Sequence, residues 1–164
     1  CSSDLKFSNN VMARQLFLSL AVDRPASPEG AQGRIRQWLV EKGLEMPGLV
    51  LDNGSGLSRH ERISAESLGR LLLAAWRSPV MPELMASLPV AGFDGTLKKR
   101  MEKSSVNGRA HLKTGYLEGV RSVAGYVLDR NGRRWIVVCL INDPRARYGK
   151  PAIDALLEWV AAGR

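Results

Sequence analysis

Two short groups of polar residues in this sequence carry side chains suited to substrate binding and proton transfer. Ser8-Asn9-Asn10 offers a hydroxyl and an amide that can relay a proton and hydrogen-bond a substrate amide. Lys113-Thr114-Gly115 offers an ammonium and a hydroxyl that can hold a carboxylate, and its glycine lets a ligand backbone approach closely. Considered singly, the first group is more simply a helix cap and the second the end of a strand.

Other kinds of site find little support in the sequence. His60 and His111 are far apart and outside any metal-type spacing, so we interpret both as surface or strand residues. Cys1 and Cys139 form neither a CxxC pair nor a metal motif, and Cys139 lies in the apolar run WIVVCLI, which predicts a buried thiol. No glycine-rich nucleotide motif is present. We therefore predict no metal and no cofactor.

Length and composition indicate a single globular domain with a basic surface. The chain has 164 residues, 45% of them hydrophobic, and a net charge of +8. That charge is compatible with nucleic acid, an anionic surface or a solvated basic face, but the basic residues are scattered without interleaved aromatics, which disfavours nucleic acid. No apolar run reaches the ~18 residues of a membrane span. No signal-type N-terminus is visible, and a chain that begins without Met is expected to be processed, trimmed or a fragment.

Apolar residues recur at helical spacing in five segments separated by turn formers. The first predicted helix is apolar on nearly every side, so we expect it to be buried. The predicted helices are 9–22 with Ser8 as N-cap, 28–43 with Ser27 as N-cap, a third from a Ser64 cap to before Pro79, 82–87 and 151–162.

The periodicity becomes strand-like after Arg109. Three strands are predicted at 109–114, 121–128 and 133–142, with the last two joined by the hairpin signal Asp129-Arg130-Asn131-Gly132. They predict an antiparallel meander, and hence an α+β fold with the sheet packed by helices. The third strand is apolar on both faces, like a central strand, although it is the last in the chain. Its outer edge should therefore pair with strands outside this sequence or with a second copy.

The loop Asp52-Asn53-Gly54-Ser55-Gly56-Leu57-Ser58-Arg59 is dense in turn formers. We interpret it as a turn whose Asp, Ser and Arg side chains cap backbone groups. The alternative is that it lies near a cleft and supports the wall of an active site.

Four segments together resemble a known family: KFSNNVMARQLF, LDNGSGLSRHERISAESL, LPVAGFDGTLKKRM and HLKTGYLEGVRSVAGYV. They are similar to consecutive blocks of the low-molecular-mass, class C type penicillin-binding proteins, the D-alanyl-D-alanine carboxypeptidases and endopeptidases of peptidoglycan. The similarity runs from about Lys6 to the last helix. Two of the family's three elements, S-x-N and K-T-G, occur in the required order, and S-x-x-K is the third. The resemblance implies a partial transpeptidase fold of the serine β-lactamase type.

The resemblance also implies roles for the two polar groups. Ser8 would take part in the proton relay and Asn10 would hold the substrate amide. Lys113 and Thr114 would bind the terminal carboxylate of the substrate.

The residues that follow Thr114 would complete the substrate site. A backbone N–H just beyond Gly115 would contribute to the oxyanion hole. Family members commonly carry Thr or Ser where this chain has Tyr116. This substitution removes a second hydroxyl for the carboxylate but keeps the backbone contribution at position 116.

The nucleophile of the family is expected to be missing from this chain. Ser3-Asp4-Leu5-Lys6 fits S-x-x-K literally but ends just before Ser8, whereas in the family this motif lies far upstream, separated by long inserted domains. Ser3 is therefore not the expected nucleophile. Ser105-Val106-Asn107 fits S-x-N but is too near K-T-G to form a facing wall, so we interpret it as a loop.

The resemblance therefore predicts a serine-type D-Ala-D-Ala carboxypeptidase or endopeptidase of the periplasm. Residues 1–164 would form the C-terminal part of its transpeptidase domain, inactive alone and prone to self-association or to pairing with the N-terminal part. The expected ligands are peptidoglycan stem peptides and β-lactams, with no transmembrane segment. The alternative function is a noncatalytic peptidoglycan- or partner-binding module with the same fold.

Overall fold

A computed structural model describes residues 2–163 of the chain as an α+β protein, so the prediction for Cys1 falls outside the described residues. Two compact units are present, one formed by residues up to Ser8 together with those from Leu72 onward, the other by Asn9–Leu71. The helices and strands are α1 (Ser2–Phe7), α2 (Asn10–Ser19), α3 (Pro28–Glu41), α4 (Ala65–Trp76), α5 (Met81–Ser87), β1 (Ala110–Leu117), β2 (Val120–Leu128), β3 (Arg134–Asn142) and α6 (Lys150–Ala161).

The first unit is built on the predicted meander, with strand order β1-β2-β3 and antiparallel pairing throughout. One face of the sheet packs against α6, because alternate strand residues and the apolar stripe of α6 are both buried there. On the opposite face, buried Tyr126 donates from its hydroxyl to Leu72 O at 2.7 Å and packs against Trp76. The core against α6 contains Leu112, Val123, Val127, Val137, Ile153, Leu157 and Val160.

The predicted end of the first strand at Thr114 was wrong. β1 continues through Lys113-Thr114-Gly115 to Leu117, because these residues pair in register with β2 from Val120 onward. The connection is a tight turn at Glu118-Gly119, where Gly119 has φ of 74°. The K-T-G residues therefore lie on a regular strand rather than in a loop.

The predicted hairpin between β2 and β3 is confirmed, and Asp129 organises it. Its Oδ1 accepts from the backbone N–H groups of Asn131 and Arg133, both at 2.8 Å. Its Oδ2 accepts from the Trp135 indole and the Arg133 guanidinium, both at 3.0 Å. Only 1% of the Asp129 surface is exposed, so the carboxylate is enclosed by its own turn.

The second unit contains α2 and α3, which pack around Phe17, Ala21 and Ala31. Ser27 caps α3, as predicted, by accepting from Gly30 N at 3.0 Å. Ser64 likewise accepts from Ser67 N at the start of α4.

Ser8 is not the cap of α2, contrary to the prediction. Asn9 takes that position, and its Oδ1 accepts from Met12 N at 3.0 Å. Asn9 provides the same kind of capping oxygen one residue later, so the hydroxyl of Ser8 is not used for capping.

The expected burial of α2 and of the Cys139 thiol was also wrong within the described residues. In α2 only Phe17 is buried, and Val11 is 71% exposed, because α3 covers a single side of this short helix. β3 occupies an edge of the described sheet, as expected for these residues alone, but Cys139 is half-buried rather than buried. The sequences of α2 and β3 are both more apolar than their burial among the described residues would lead one to expect.

Neither a membrane span nor a metal cluster is found in the part of the chain that the structure describes. No helix there has the length and apolar character needed to cross a bilayer. No group of three His, Cys, Asp or Glu side chains among these residues could hold a metal ion.

Candidate functional site

The K-T-G segment lies on a strand edge whose backbone groups are not paired with another strand of the described chain. Ala110 O accepts from Ala91 N, and Leu112 N donates to Pro89 O, so even-numbered residues of β1 point their backbone groups away from β2. By the same alternation, the backbone N–H and C=O groups of Thr114 and Tyr116 point away from β2. In the described chain no strand pairs with this edge beyond the bridge between Val90 and His111. An extended ligand could therefore add to β1 along residues 114–116.

Ser8 and Lys113 are in direct contact, although they are distant in sequence. Lys113 Nζ donates to Ser8 Oγ at 2.5 Å, and both residues belong to the first unit. Ser8 follows the last turn of α1, and its φ of 52° places it in the left-handed region. This backbone conformation ends α1 and leaves the Ser8 hydroxyl available to β1.

Lys113 lies on the sheet face opposite α6, since it alternates with Leu112, which belongs to the core. Burial lowers the pKa of its ammonium below the ordinary value of 10.5, because desolvation disfavours the charged form. The ammonium donates a second hydrogen bond to Thr114 O at 2.7 Å. The site thus contains a desolvated cation whose two acceptors within the described chain are a hydroxyl and a carbonyl oxygen rather than a carboxylate.

Gly115 and Tyr116 shape the strand beyond Lys113. A Cβ at Gly115 would lie 2.3 Å from Ser122 Oγ, so a larger residue here would need the Ser122 hydroxyl to rotate away. The Tyr116 side chain is 64% exposed, and the Arg121 guanidinium stacks on its ring at 3.5 Å. Thr114 is half-buried. Tyr116 therefore contributes an aromatic surface and a stacked cation where a small hydroxyl residue was expected.

Asn10 belongs to the second unit, where it contacts the turn-rich loop. Its Nδ2 donates to Ser55 O at 2.6 Å. Within that loop, Asn53, Ser55 and Ser58 accept from the backbone N–H two residues further on, so the predicted capping role holds for the two serines. Asp52 departs from it, because its carboxylate accepts from the Asn53 side chain.

Lys6 is held in an ion pair, which bears on the literal S-x-x-K match. Its ammonium contacts the carboxylate of Asp94, and only 16% of the Lys6 side chain is exposed. Ser3 lies on the exposed side of α1. A lysine that is paired with a carboxylate is a poor general base, because the pairing stabilises its protonated form.

Lys6, Asp94 and Arg121 were not identified as site residues from the sequence. Asp94 lies in the segment LPVAGFDGTLKKRM, which was noted only for its family resemblance, and Lys6 was considered only as part of S-x-x-K. His111 is a strand residue, as predicted. Its Nδ1 lies 3.0 Å from Met85 O, and burial lowers the pKa of its imidazole.

Comparison with known proteins yields one family and several related structures. The family described as "D-Ala-D-Ala carboxypeptidase 3 (S13) family" matches residues 2–162. Carboxypeptidase DacB of Mycolicibacterium smegmatis is 37% identical over 158 residues, which are 91% of this chain and 34% of that protein. The chain thus spans about a third of the length of this relative.

The solved structures share the fold. Penicillin-binding protein 4 (dacB) of Haemophilus influenzae superposes with a TM-score of 0.84 at 26% identity, covering 96% of this chain and 39% of that one. The same protein is also matched in a complex with a β-lactam. A variant of the Bd3459 predatory endopeptidase of Bdellovibrio bacteriovorus has a TM-score of 0.77 at 19% identity, covering 96% of this chain and 43% of that one.

Proposed function

The chain belongs to the D-Ala-D-Ala carboxypeptidase 3 (S13) family, and from this premise we propose that it forms the K-T-G and S-x-N part of a serine-type peptidase of peptidoglycan. The contact between Lys113 Nζ and Ser8 Oγ carries the proposal. It joins Ser8, for which the resemblance implies a part in the proton relay, to Lys113, for which it implies carboxylate binding. The activity proposed for the whole protein is that of a D-Ala-D-Ala carboxypeptidase or endopeptidase.

The chemistry is acyl transfer from a D-Ala-D-Ala peptide to a serine. The serine oxygen gives its proton to a base and attacks the carbonyl carbon of the penultimate residue, and the C–N bond to the terminal residue then breaks. The leaving amine takes up a proton, and water later hydrolyses the ester. The reaction needs a proton donor for the amine, donors for the developing oxyanion and a binding site for the carboxylate.

Ser8 is suited to deliver the proton. Because its oxygen accepts a hydrogen bond from Lys113, its own hydrogen points elsewhere and is available to the leaving nitrogen. Lys113, whose pKa is lowered by burial, can replace the lost proton. Lys113 therefore supplies positive charge for the substrate carboxylate and, when the amine leaves, the proton that restores the Ser8 hydroxyl.

The edge of β1 is suited to hold the substrate backbone. The outward N–H of Tyr116 would serve the oxyanion, and the Thr114 side chain would bind the carboxylate with Lys113. Holding the substrate amide is the role that the family resemblance implies for Asn10. Stem peptides and β-lactams are the ligands that this arrangement implies.

We place the attacking serine outside these 164 residues. Two observations support this part of the proposal. The chain spans about a third of its curated relative, and Lys6, which a Ser3 nucleophile would need as base, is paired with Asp94. Residues 1–164 are therefore proposed to be the C-terminal part of a transpeptidase domain.

We further propose that the outer edge of β3 pairs with a strand of the missing part, and in its absence with a second copy. The support is that β3 is at the edge of the described sheet while its Ile136, Val138 and Leu140 remain half-buried and apolar. Because peptidoglycan lies outside the cytoplasmic membrane, the proposed location is extracytoplasmic, and in a cell with two membranes it is the periplasm.

Covalent labelling with a fluorescent penicillin tests the proposed function. The full-length protein should be labelled, whereas the isolated 164-residue chain should not be. Lys113→Met in the full-length protein should slow acylation about a hundredfold or more, because it removes a preorganised charge. Lys150→Met removes the same charge from an exposed position and is the control.

Two results would contradict the proposal in different ways. Stable labelling of the isolated chain at Ser3 would show that the nucleophile is inside it. A full-length protein that binds peptidoglycan but is never acylated would favour the noncatalytic module.

A further inference from the structure

Ser8 adopts a backbone conformation that requires support from its surroundings. A non-glycine residue with φ of 52° is in the left-handed region, which is disfavoured because its Cβ crowds the following carbonyl oxygen. Glycine would avoid this cost but would also remove the hydroxyl that contacts Lys113. The segment that leads into Ser8 must therefore be fixed by contacts elsewhere.

The ion pair between Lys6 and Asp94 is one such contact. Lys6 lies in the last turn of α1, two residues before Ser8. The side chains of Lys6 and Asp94 are 16% and 44% exposed, so the pair is partly shielded from water. Burial alone would raise the pKa of Asp94, but hydrogen bonds from Lys6 and from Val90 N, with the Lys6 charge, lower it overall. The Asp94 carboxylate is therefore charged at neutral pH.

Asp94 is itself attached to the strand that carries Lys113. Its second carboxylate oxygen, Oδ1, accepts from Val90 N at 2.7 Å. Val90 forms an antiparallel bridge with His111, and Ala91 N donates to Ala110 O at 2.9 Å. The carboxylate thus connects the end of α1 to a segment that is hydrogen-bonded alongside β1.

Gly95 strengthens the same junction through the backbone. It has φ of 54°, and a Cβ at this position would lie 2.4 Å from Lys6 O. Only glycine allows the backbone of Lys6 to approach so closely. Lys6 is therefore held by its side chain at Asp94 and by its carbonyl against Gly95.

We infer that the Lys6–Asp94 ion pair positions Ser8 against Lys113, which makes Lys6 and Asp94 positioning residues of the acyl-transfer site. The catalytic consequence of this inference rests on the proposed function. Neither residue touches substrate in this scheme, and Lys6 does not act as a base. The Lys6 charge holds the end of α1 close enough to β1 for the Ser8 hydroxyl to accept a hydrogen bond from Lys113.

Structures and acylation kinetics of variants of the full-length protein test the inference. Lys6→Met removes the cation, and Asp94→Asn removes the anion while keeping an oxygen for Val90 N. In both, the Ser8 Oγ to Lys113 Nζ distance should exceed hydrogen-bonding range, and acylation at saturating penicillin should slow about 10- to 100-fold. The penicillin dissociation constant should change less than about threefold. Lys6→Arg, which keeps the cation, should retain the contact.

Arg100→Met is the matched control for lost stability. Arg100 pairs with Asp154 on α6, and its side chain is 17% exposed, close to the 16% of Lys6. This pair lies with α6, on the sheet face opposite Lys113. Arg100→Met should lower the melting temperature as much as Asp94→Asn does, and yet acylate within about twofold of the unmodified protein.

The outcomes separate this inference from the proposed function. If the Ser8–Lys113 contact survives in both Lys6→Met and Asp94→Asn, the inference is wrong whatever the activity. It also fails if Lys6→Arg loses the contact as completely as Lys6→Met. If the contact is lost and acylation continues at the normal rate, the positioning is upheld and the proposed catalytic use of the contact is wrong.

Discussion

Lys113 is the residue whose chemistry depends most on its surroundings. Burial lowers its pKa from 10.5, so its ammonium loses the proton at a lower pH than an exposed lysine would. Charging this side chain in the folded state opposes folding below that lowered pKa. The opposition disappears as the pH rises through the lowered pKa toward 10.5. This loss of folding stability is compatible with a site in which the Lys113 charge binds a substrate carboxylate.

The pH dependence of acylation should therefore carry the signature of Lys113. In the full-length protein, we expect an alkaline limb that lies below pH 10.5, the ordinary lysine value. Lys113→Arg should move this limb to higher pH at a lower maximal rate, because guanidinium stays protonated but presents a different shape. Lys150→Arg is the control and should leave the profile unchanged. An alkaline limb that is identical in Lys113→Arg would exclude Lys113 as the titrating group.

Tyr116 is the second residue with a specific expectation. Tyr116→Thr places a small hydroxyl beyond Gly115, and the added hydrogen bond should lower KM for a D-Ala-D-Ala peptide about three- to tenfold. It also removes the ring that stacks on Arg121, so a small loss of stability should accompany the gain. Tyr116→Phe keeps the ring and the backbone N–H and should leave both quantities unchanged. A KM that does not fall in Tyr116→Thr would contradict a carboxylate subsite at this position.

At the scale of elements, the hairpin between β2 and β3 depends on one charged side chain. The hydrogen bond from Trp135 is the largest cause that lowers the pKa of Asp129, to about 2, and the donors from Arg133 and Asn131 add to it. A carboxylate whose pKa is depressed in the folded state stabilises the fold above its unfolded value of 3.8. That contribution is lost as the pH falls through about 2.

Asp129→Asn should therefore lower the unfolding midpoint in urea at pH 7 and reduce the dependence of that midpoint on pH between about 4 and 2. Trp135→Phe removes one donor and should raise the pKa of Asp129 part of the way toward 3.8. Asp143→Asn, in an exposed ion pair with Arg145, is the control. Equal acid sensitivity of the unmodified chain and Asp129→Asn would show that another carboxylate dominates.

Elements governed by short-range chemistry were the ones that the sequence predicted well. The Ser27 and Ser64 caps and the second hairpin depend on neighbours within a few residues. The error at Ser8 has a different origin, since Ser8 and Asn9 are equally good caps and the Ser8 hydroxyl is used by a lysine 105 positions away. The strand end at Thr114 was misjudged because Lys113 and Gly115 interrupt the apolar pattern while the hairpin register continues.

The candidate site could be predicted only where a family pattern named its residues. Lys113, Thr114 and Gly115 could be selected from a motif, and the structure places Ser8 beside Lys113. The ion pair of Lys6 with Asp94 joins residues 88 positions apart, and neither forms part of a short motif with the other. Such contacts arise from tertiary packing, which local periodicity does not encode.

For the whole molecule, the unpaired edge of β3 leads to a specific prediction about self-association. This strand is an edge of the described sheet, although its composition is that of a central strand. A long apolar edge with free backbone groups tends to pair with another strand. We therefore expect the isolated 164-residue chain to self-associate in light scattering.

Two substitutions distinguish pairing along the β3 edge from nonspecific hydrophobic association of the isolated chain. Val138→Lys places a charge at the centre of β3 and should shift the chain toward monomer at equal concentration, because pairing would bury an unpaired ammonium. Trp159→Lys replaces an aromatic residue that is 55% exposed on α6 and should leave the association unchanged. A shift of equal size in both variants would attribute the association to exposed apolar surface in general. A strictly monomeric chain in which β3 is protected from hydrogen exchange would contradict the prediction. It would show that the β3 edge is stable without a partner strand.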